Sequence, residues 1–323
     1  MSHRLPHHHV TRTTLRLLVL VMGLFAVGWL VYRYRVDVWR AISAMGAGII
    51  WLAAVYALHL AIAAIGWRAL VRSARWWHCF IGVWIGTSVN TLIPTATVGG
   101  EVVKARVLTR FKAETPTAIA SVLADTAAQG YSLVLWMAVG LLALLALDAD
   151  AQLVTVITVF CGLYLAGIGT FTWLQMRGPA GLLGRALERV MQQRTFVALA
   201  SAQSIDAVLA TLHATPWPML RATLWRTLAR IALTLEVWLA AALMGLPIGL
   251  LEALVLKSVT GAARGAAFFV PNGVGVQELA FVVTANALNI DPGLAVAVSI
   301  AIRIRELVVS APALLVWYRI ERR

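Results

Sequence analysis

The sequence is short of charge and shorter still of acid. Asp and Glu together number 14 in 323 residues, and all charged residues make up 13%. A soluble globular chain carries roughly 25% charged and 45–50% apolar residues, whereas here the apolar class reaches 61%. With a mean hydropathy of +0.83 the chain cannot hide its apolar surface in a soluble fold, and intrinsic disorder is excluded for the same reason. Cysteine is nearly absent. Cys79 and Cys161 both lie in apolar stretches and read as small core residues rather than a disulfide or a metal pair. HExxH, GxSxG with triad partners, a P-loop and cysteine–histidine metal spacings are also missing. No cofactor, metal site or enzyme activity is expected. Any transport would be facilitated or ion-coupled, since nothing resembles an ATPase. His59, His78 and His213 stand alone and read as packed or interfacial, and His3, His7, His8 and His9 form a basic tail with Arg4.

What is present is an integral membrane protein. A spanning helix needs about 20 largely apolar residues. Leu17–Tyr32 reads as a retained first span rather than a signal peptide, because Tyr32-Arg33-Tyr34-Arg35 follows in place of a small-residue cleavage site. Ala41–Trp67, Thr126–Leu147, Ala151–Met176 and the stretches near 230–245 and 292–318 complete a set of about six. Residues 177–226 are less apolar and read as a cytoplasmic amphipathic segment on the membrane surface, with a small helical hairpin as the alternative. The net charge of +13 suits cytoplasmic loops facing anionic lipid better than nucleic acid. Placing both termini in the cytoplasm puts most of the 27 Lys and Arg on the inner side, and Asp148, Asp150 and Asp291 outside. Residues 1–16 are then a basic tail and 17–323 one membrane domain.

Two regions fit no clean span. Ser88–Leu108 reads SVNTLIPTATVGGEVVKARVL, and Gly261–Val283 reads GAARGAAFFVPNGVGVQELAFVV. Each is an apolar segment broken by proline and glycine that resumes with a glutamate. Pro94 precedes Glu101 by seven residues, Pro271 precedes Glu278 by seven, and both pairs are offset by 177. Gly99, Gly100, Gly273 and Gly275 are expected, with the two prolines, to loosen the backbone as hinges. Three crossings between the copies would invert the second (about 228–318) relative to the first (about 41–147). The expected fold is therefore all-α and polytopic, with two broken re-entrant hairpins in an inverted repeat, a transporter plan whose sites form at exposed half-helix ends.

Glu101, Asp125, Glu236, Lys257, Arg264, Glu278, Arg303, Arg305 and Glu306 fall within or at the edge of membrane segments. Each costs about 2.5–3.5 kcal/mol at a lipid-facing midplane position, so most must pair or face a polar interior. One reading makes them ion pairs joining helices. The other makes them a cavity that binds a headgroup, with Asn90, Glu101, Arg264, Asn272, Glu278, Arg303 and Arg305 as substrate-binding residues. Arginine's planar fork suits phosphate or carboxylate. Glu101 and Glu278 would play matched roles at the two breaks, one reached from each leaflet. Asp125 and Arg303 hold near-equivalent places with opposite charge, so a cross-repeat pair could serve as a gate, and Glu306 is a second gating or ion-pair candidate.

The blocks NTLIP…GGEVVKARVL (Asn90–Leu108) and SVLAD (Ser121–Asp125) resemble the first signature of the lysylphosphatidylglycerol synthase transmembrane region, the flippase-like membrane superfamily. PNGVGVQE (Pro271–Glu278) and RIRE (Arg303–Glu306) resemble its second. The resemblance covers about residues 15–320, and its specific part some 40 of them. A chain of this length is similar to the subgroup associated with hopanoid biosynthesis. The resemblance implies a bacterial inner (plasma) membrane protein that moves a polar or anionic lipid between leaflets. A membrane lipid is its expected partner. The alternative is a non-transporting scaffold for lipid- or hopanoid-modifying enzymes. Two departures stand out. Thr126 occupies a place where many relatives carry arginine, and the aminoacyl-transferase domain of full-length synthases has no counterpart, so lipid lysinylation is not expected.

Overall fold

The computed structural model describes residues 21–22, 24–71, 73–93, 98–147, 151–178, 195–267 and 270–322, and among these the only regular structure is helix. The chain runs α1 (Leu24–Arg33), α2 (Arg35–Met45), α3 (Ile49–Arg68), α4 (Trp76–Leu92), α5 (Val98–Arg110), α6 (Thr115–Ala146), α7 (Ala151–Met176), α8 (Thr195–His213), α9 (Trp217–Leu243), α10 (Leu250–Ala266), α11 (Val276–Ala287) and α12 (Pro292–Glu321). Local chemistry sets several ends. Pro116 opens the first turn of α6. Asp291 caps α12 by accepting the Leu294 N–H at 2.9 Å, with Pro292 at the first helical position, where its missing N–H costs nothing.

Among the described residues three stretches are long and apolar enough to cross a bilayer by themselves: Arg35–Arg68, Thr115–Ala146 and Val154–Met176. The second expected span is thus longer than the sequence suggested, running through α2, a 3-10 turn at Gly46–Gly48 and α3. The third begins at Thr115 rather than Thr126. The beginning of the expected first span lies outside the described residues, and the rest of that span is the short helix α1. Helices α9 and α12 have the length, at 27 and 30 residues, but carry several charges that face protein.

Two helical hairpins dominate the packing. In the first, α4 and α5 lie antiparallel and nearly touch, because Gly86 faces Gly100: a Cβ on Gly100 would meet the Gly86 carbonyl oxygen at 2.1 Å. Lipid tails are as apolar as leucine, so helices in a membrane gain by close van der Waals approach, which small residues allow. In the second, α10 and α11 are joined through a 3-10 turn at Pro271–Gly273. Asn272, Gly273 and Gly275 adopt φ of 50°, 59° and 82°. Glycine reaches such values without a side-chain clash, and asparagine tolerates them.

Each hairpin is followed by a long helix that packs on its second limb, α6 after the first and α12 after the second. Helix α12 also runs along α4, where Trp84 Nε1 donates to the Val309 carbonyl at 2.9 Å. One core joins α1, α2, α3, α9, α10, α11 and α12 around Leu52, Phe281 and Ile302. Another joins α3, α4, α6, α8 and α9 around Trp67, whose ring covers Gly82. The apolar stripe Ile205, Val208, Leu209 and Leu212 of α8 packs into this second core, with Leu209 fully buried, so α8 turns its apolar face to protein. Of the expected amphipathic segment, residues 179–194 lie outside the described residues. Helix α7 is the most peripheral span, with only 6% of its apolar window buried.

Candidate functional site

The tips of the two hairpins meet. Helix α4 touches the Pro271–Gly273 turn, and between them lies a cavity of about 370 Å³. Thr87, Asn90 and Thr91 of α4 and Glu101 of α5 contribute one wall. Arg264, Asn272 and Gly273 of the second hairpin contribute the opposite one. Thr126 and Gln129 of α6, Tyr164 of α7 and Arg230 of α9 close the ring. Hydroxyls, amides and guanidinium groups thus surround a space at the centre of an apolar chain.

Behind this lining the charges are sorted into three clusters. Asp125, fully buried on α6, accepts from Arg226 Nε at 2.9 Å and Nη2 at 2.5 Å, from Lys104 Nζ at 2.6 Å and from Gln129 Nε2 at 3.2 Å. Lys104 also donates to Glu101 at 2.8 Å and sits 5.0 Å from the centre of the Trp67 ring. In the second cluster Arg303 Nε donates to Glu278 at 2.9 Å. Its Nη1 reaches Glu306 and the Asn272 carbonyl, both at 3.1 Å, and Nη2 reaches the Gly273 carbonyl at 3.3 Å. Glu278 also accepts its own helix's Gly275 N–H at 2.8 Å. In the third, Arg305 of α12 forms a two-pronged pair with Glu236 of α9, one prong at 2.8 Å, and lies over the Tyr56 ring of α3 at 3.7 Å.

Two guanidinium groups on the cavity wall are less committed. Arg230 donates to Ser132 Oγ at 2.8 Å and the Gln129 carbonyl at 3.3 Å, and has no ion-pair partner among the described residues. Arg264 donates to Gln277 and Asn272, each at 2.8 Å, and its nearest carboxylate, that of Glu306, stands 3.5 Å away. The lone acid on the wall, Glu101, is already held by Lys104. The lining therefore carries an excess of positive charge, with forked donors suited to a phosphate or carboxylate.

The family model of the lysylphosphatidylglycerol synthase TM region matches residues 14–313. The chain belongs to that family. No curated protein and no solved structure matches it. Membership in the lysylphosphatidylglycerol synthase TM family agrees with the apolar helices in making this a membrane-embedded protein with a lipid-related role.

Of the site residues expected from sequence, Asn90, Glu101, Arg264 and Asn272 line the cavity. Glu278, Arg303 and Arg305 stand behind it, occupied by the ion pairs above, so the ion-pair reading fits these three. The expected matching of Glu101 and Glu278 is not what the structure shows. Glu101 is one-quarter exposed with a single charged partner, while Glu278 is fully buried and caps a helix. Nor do Asp125 and Arg303 pair, because Asp125 is held by Lys104 and Arg226, and Arg303 by Glu278 and Glu306. Glu306 joins Arg303 and Arg264.

The hinge residues differ from one another. Gly273 and Gly275 sit at positive φ and make the second turn, which Pro271 opens. Gly99 and Gly100 lie inside the first turn of α5, and Gly100 is a packing point rather than a loosened one. Pro94 is outside the described residues. Asn90 acts across the first break: its Oδ1 accepts the Gly100 N–H at 2.7 Å and so caps α5 from the other limb. Sequence reasoning missed Lys104, Arg226, Arg230, Gln129 and Tyr164. The available signal was the one-turn spacing of Arg226 and Arg230 at the start of an apolar run, which places both on one helix face.

Proposed function

We propose that this protein moves a lipid with a polar or anionic headgroup across the membrane, the head passing through the cavity where the hairpin tips meet. The observation that carries the reading is Arg230, which has no ion-pair partner among the described residues and faces one polar cavity together with Arg264 of the next helix, α10. A scaffold would have no use for cationic side chains held at a polar centre, each costing several kcal/mol against lipid. In this reading the two hairpins are re-entrant. Their limbs of 17, 13, 17 and 12 residues fall below the roughly 20 a full crossing needs, which supports it. Six spans, an inverted repeat, cytoplasmic termini, a bacterial inner membrane and a hopanoid-related substrate complete the proposal.

Reconstitution into liposomes with a head-labelled fluorescent phosphatidylglycerol tests it. Wild-type protein should translocate the probe, and Arg230→Gln and Arg264→Gln should each slow it at least tenfold. Translocation no faster than in protein-free liposomes would favour the scaffold. Cysteines introduced at positions 149 and 180, with Cys79 and Cys161 replaced by serine, should label from opposite sides. Labelling from one side would end the inverted-repeat proposal.

A further inference from the structure

The polar cavity opens sideways into an apolar groove. Thr126 and Tyr164 belong to both: beyond them lies a second space of about 650 Å³, walled by Phe160, Leu163 and Phe171 of α7 and floored by Gly167, Gly265 and Ala266. Phe160 and Ala266 in turn border a third space of about 440 Å³ between α7, α10 and α11, reaching Val156 and Val283. From Val156 to Phe171 the slot follows α7 for 15 residues, or about 22 Å at 1.5 Å per residue, more than the ~15 Å of one leaflet's hydrocarbon. Nothing lies within 4 Å of a Cβ built on Gly167, so its floor is open.

Resting on the headgroup reading above, we propose that this α7–α10 groove holds an acyl chain of the lipid whose head sits between Arg230 and Arg264. The occupant follows from continuity. An amphiphile with its head in the cavity must leave its chain in an apolar medium, and the Thr126–Tyr164 rim is where the polar wall gives way to an apolar one. A competing groove between α5 and α6, lined by Val102, Ala105 and Ile119, joins the cavity only at Glu101. That carboxylate, tied to Lys104, is a poor doorway for a hydrocarbon chain and for an anionic head alike. The groove also runs past the middle of α7, so the chain can remain in one slot while its head is in the cavity.

The test uses the full chain in nanodiscs containing phosphatidylglycerol with a diazirine in mid-chain, with cross-links mapped by mass spectrometry. Labels should concentrate on Phe160, Leu163, Phe171 and Ala266. Gly167→Trp fills the groove and should lower them at least fivefold. Gly162→Trp, on the same helix with equally open surroundings and outside the groove, should leave them within twofold. Replacing both Arg230 and Arg264 by glutamine should also lower them, because the anchored head holds the chain in place. Labels that persist in that double variant would mark ordinary surrounding lipid and overturn the proposal, as would labels that move to Val102 and Ile119 in the wild type. The two readings fail separately. Unchanged translocation by Gly167→Trp in liposomes removes the groove and keeps the transport reading. Arginine-dependent labelling without translocation keeps the groove and removes transport.

Discussion

The two hairpins answer the same problem with different chemistry. Both break an apolar segment, turn, and resume with a glutamate seven residues after a proline. In the first, the resumed helix takes its cap from the opposite limb through Asn90, its limbs touch through Gly86 and Gly100, and its nearby acid Asp125 is held by two cations. In the second, the resumed helix is capped by its own Glu278, positive-φ residues shape the turn, and one arginine, Arg303, ties turn, cap and following helix together. A spacing shared by two segments thus need not bring with it the same interactions. Glycine in one hairpin serves proximity and in the other serves backbone conformation.

The comparison can be broken most severely at Asp125. Asp125→Asn leaves Lys104 and Arg226 buried with only Glu101 between them, and removing one partner of a buried ion cluster costs about 3–5 kcal/mol. A large fall in Tm of the detergent-solubilised protein is expected, and a fall of under 2 °C would show that the cluster is not what holds α5, α6 and α9. Next come the glycines. Gly100→Ala forces a carbon against the Gly86 carbonyl and the Asn90 amide and should cost about 1–3 kcal/mol by overpacking. Gly275→Ala should cost about 1–2 kcal/mol through its positive φ. Gly86→Ala combined with Gly100→Ala should do little further harm once the limbs are apart, whereas Gly275→Ala should add in full.

The glutamates sharpen the contrast further. Glu278→Gln, fully buried opposite Arg303, should lower stability by about 1–3 kcal/mol. Glu101→Gln should stay within about 1 kcal/mol of wild type, since Lys104 keeps Asp125, and its effect should appear in translocation instead. Equal stability losses would restore the symmetry that the geometry denies. The smallest effect belongs to Glu321, which receives Arg106 at 2.5 Å and Arg110 at 3.0 Å and fastens α5 to the end of α12. Hydrogen bonds, from Arg106 first and then Arg110, hold its carboxyl well below the usual carboxylate range, at about 2. A carboxyl with a depressed folded pKa stabilises above its unfolded value of roughly 4.3 and loses that contribution as pH falls through the folded one. The Tm difference between wild type and Glu321→Gln, about 1–2 °C for an exposed pair, should hold from pH 7 to pH 5 and vanish near pH 2.

Much of this was legible in the sequence, for identifiable reasons. Composition declares the membrane class, and the Pro–Glu spacing marks both breaks, because helix breakers in apolar runs have few other uses. Asn90, Glu101, Arg264 and Asn272 could be named as cavity residues because they flank those breaks. Arg226 could not, since its partner Asp125 lies 101 residues away and no local pattern joins them. Counted by position alone, Arg226 belongs to a basic cytoplasmic run, and only packing of α9 against α6 turns it inward. The same limit explains Glu278. Its place after a break is common to a cap and to a ligand, and sequence spacing does not distinguish the two.

Helix α12 carries Arg303, Arg305 and Glu306 within four residues, and they grip α11, the Pro271–Gly273 turn, α9 and the Tyr56 ring of α3 in different directions. Mechanically this is a key cut on several sides. A slide of one helical turn, about 5.4 Å, would withdraw every tooth at once, so the second hairpin and α12 must travel together or not at all. Helix α7, which helps to close the ring through Tyr164, has no charged residue between Ala151 and Met176 and is held by dispersion and a few uncharged contacts. A cavity keyed at the second hairpin and greased at α7 is expected to open toward α7.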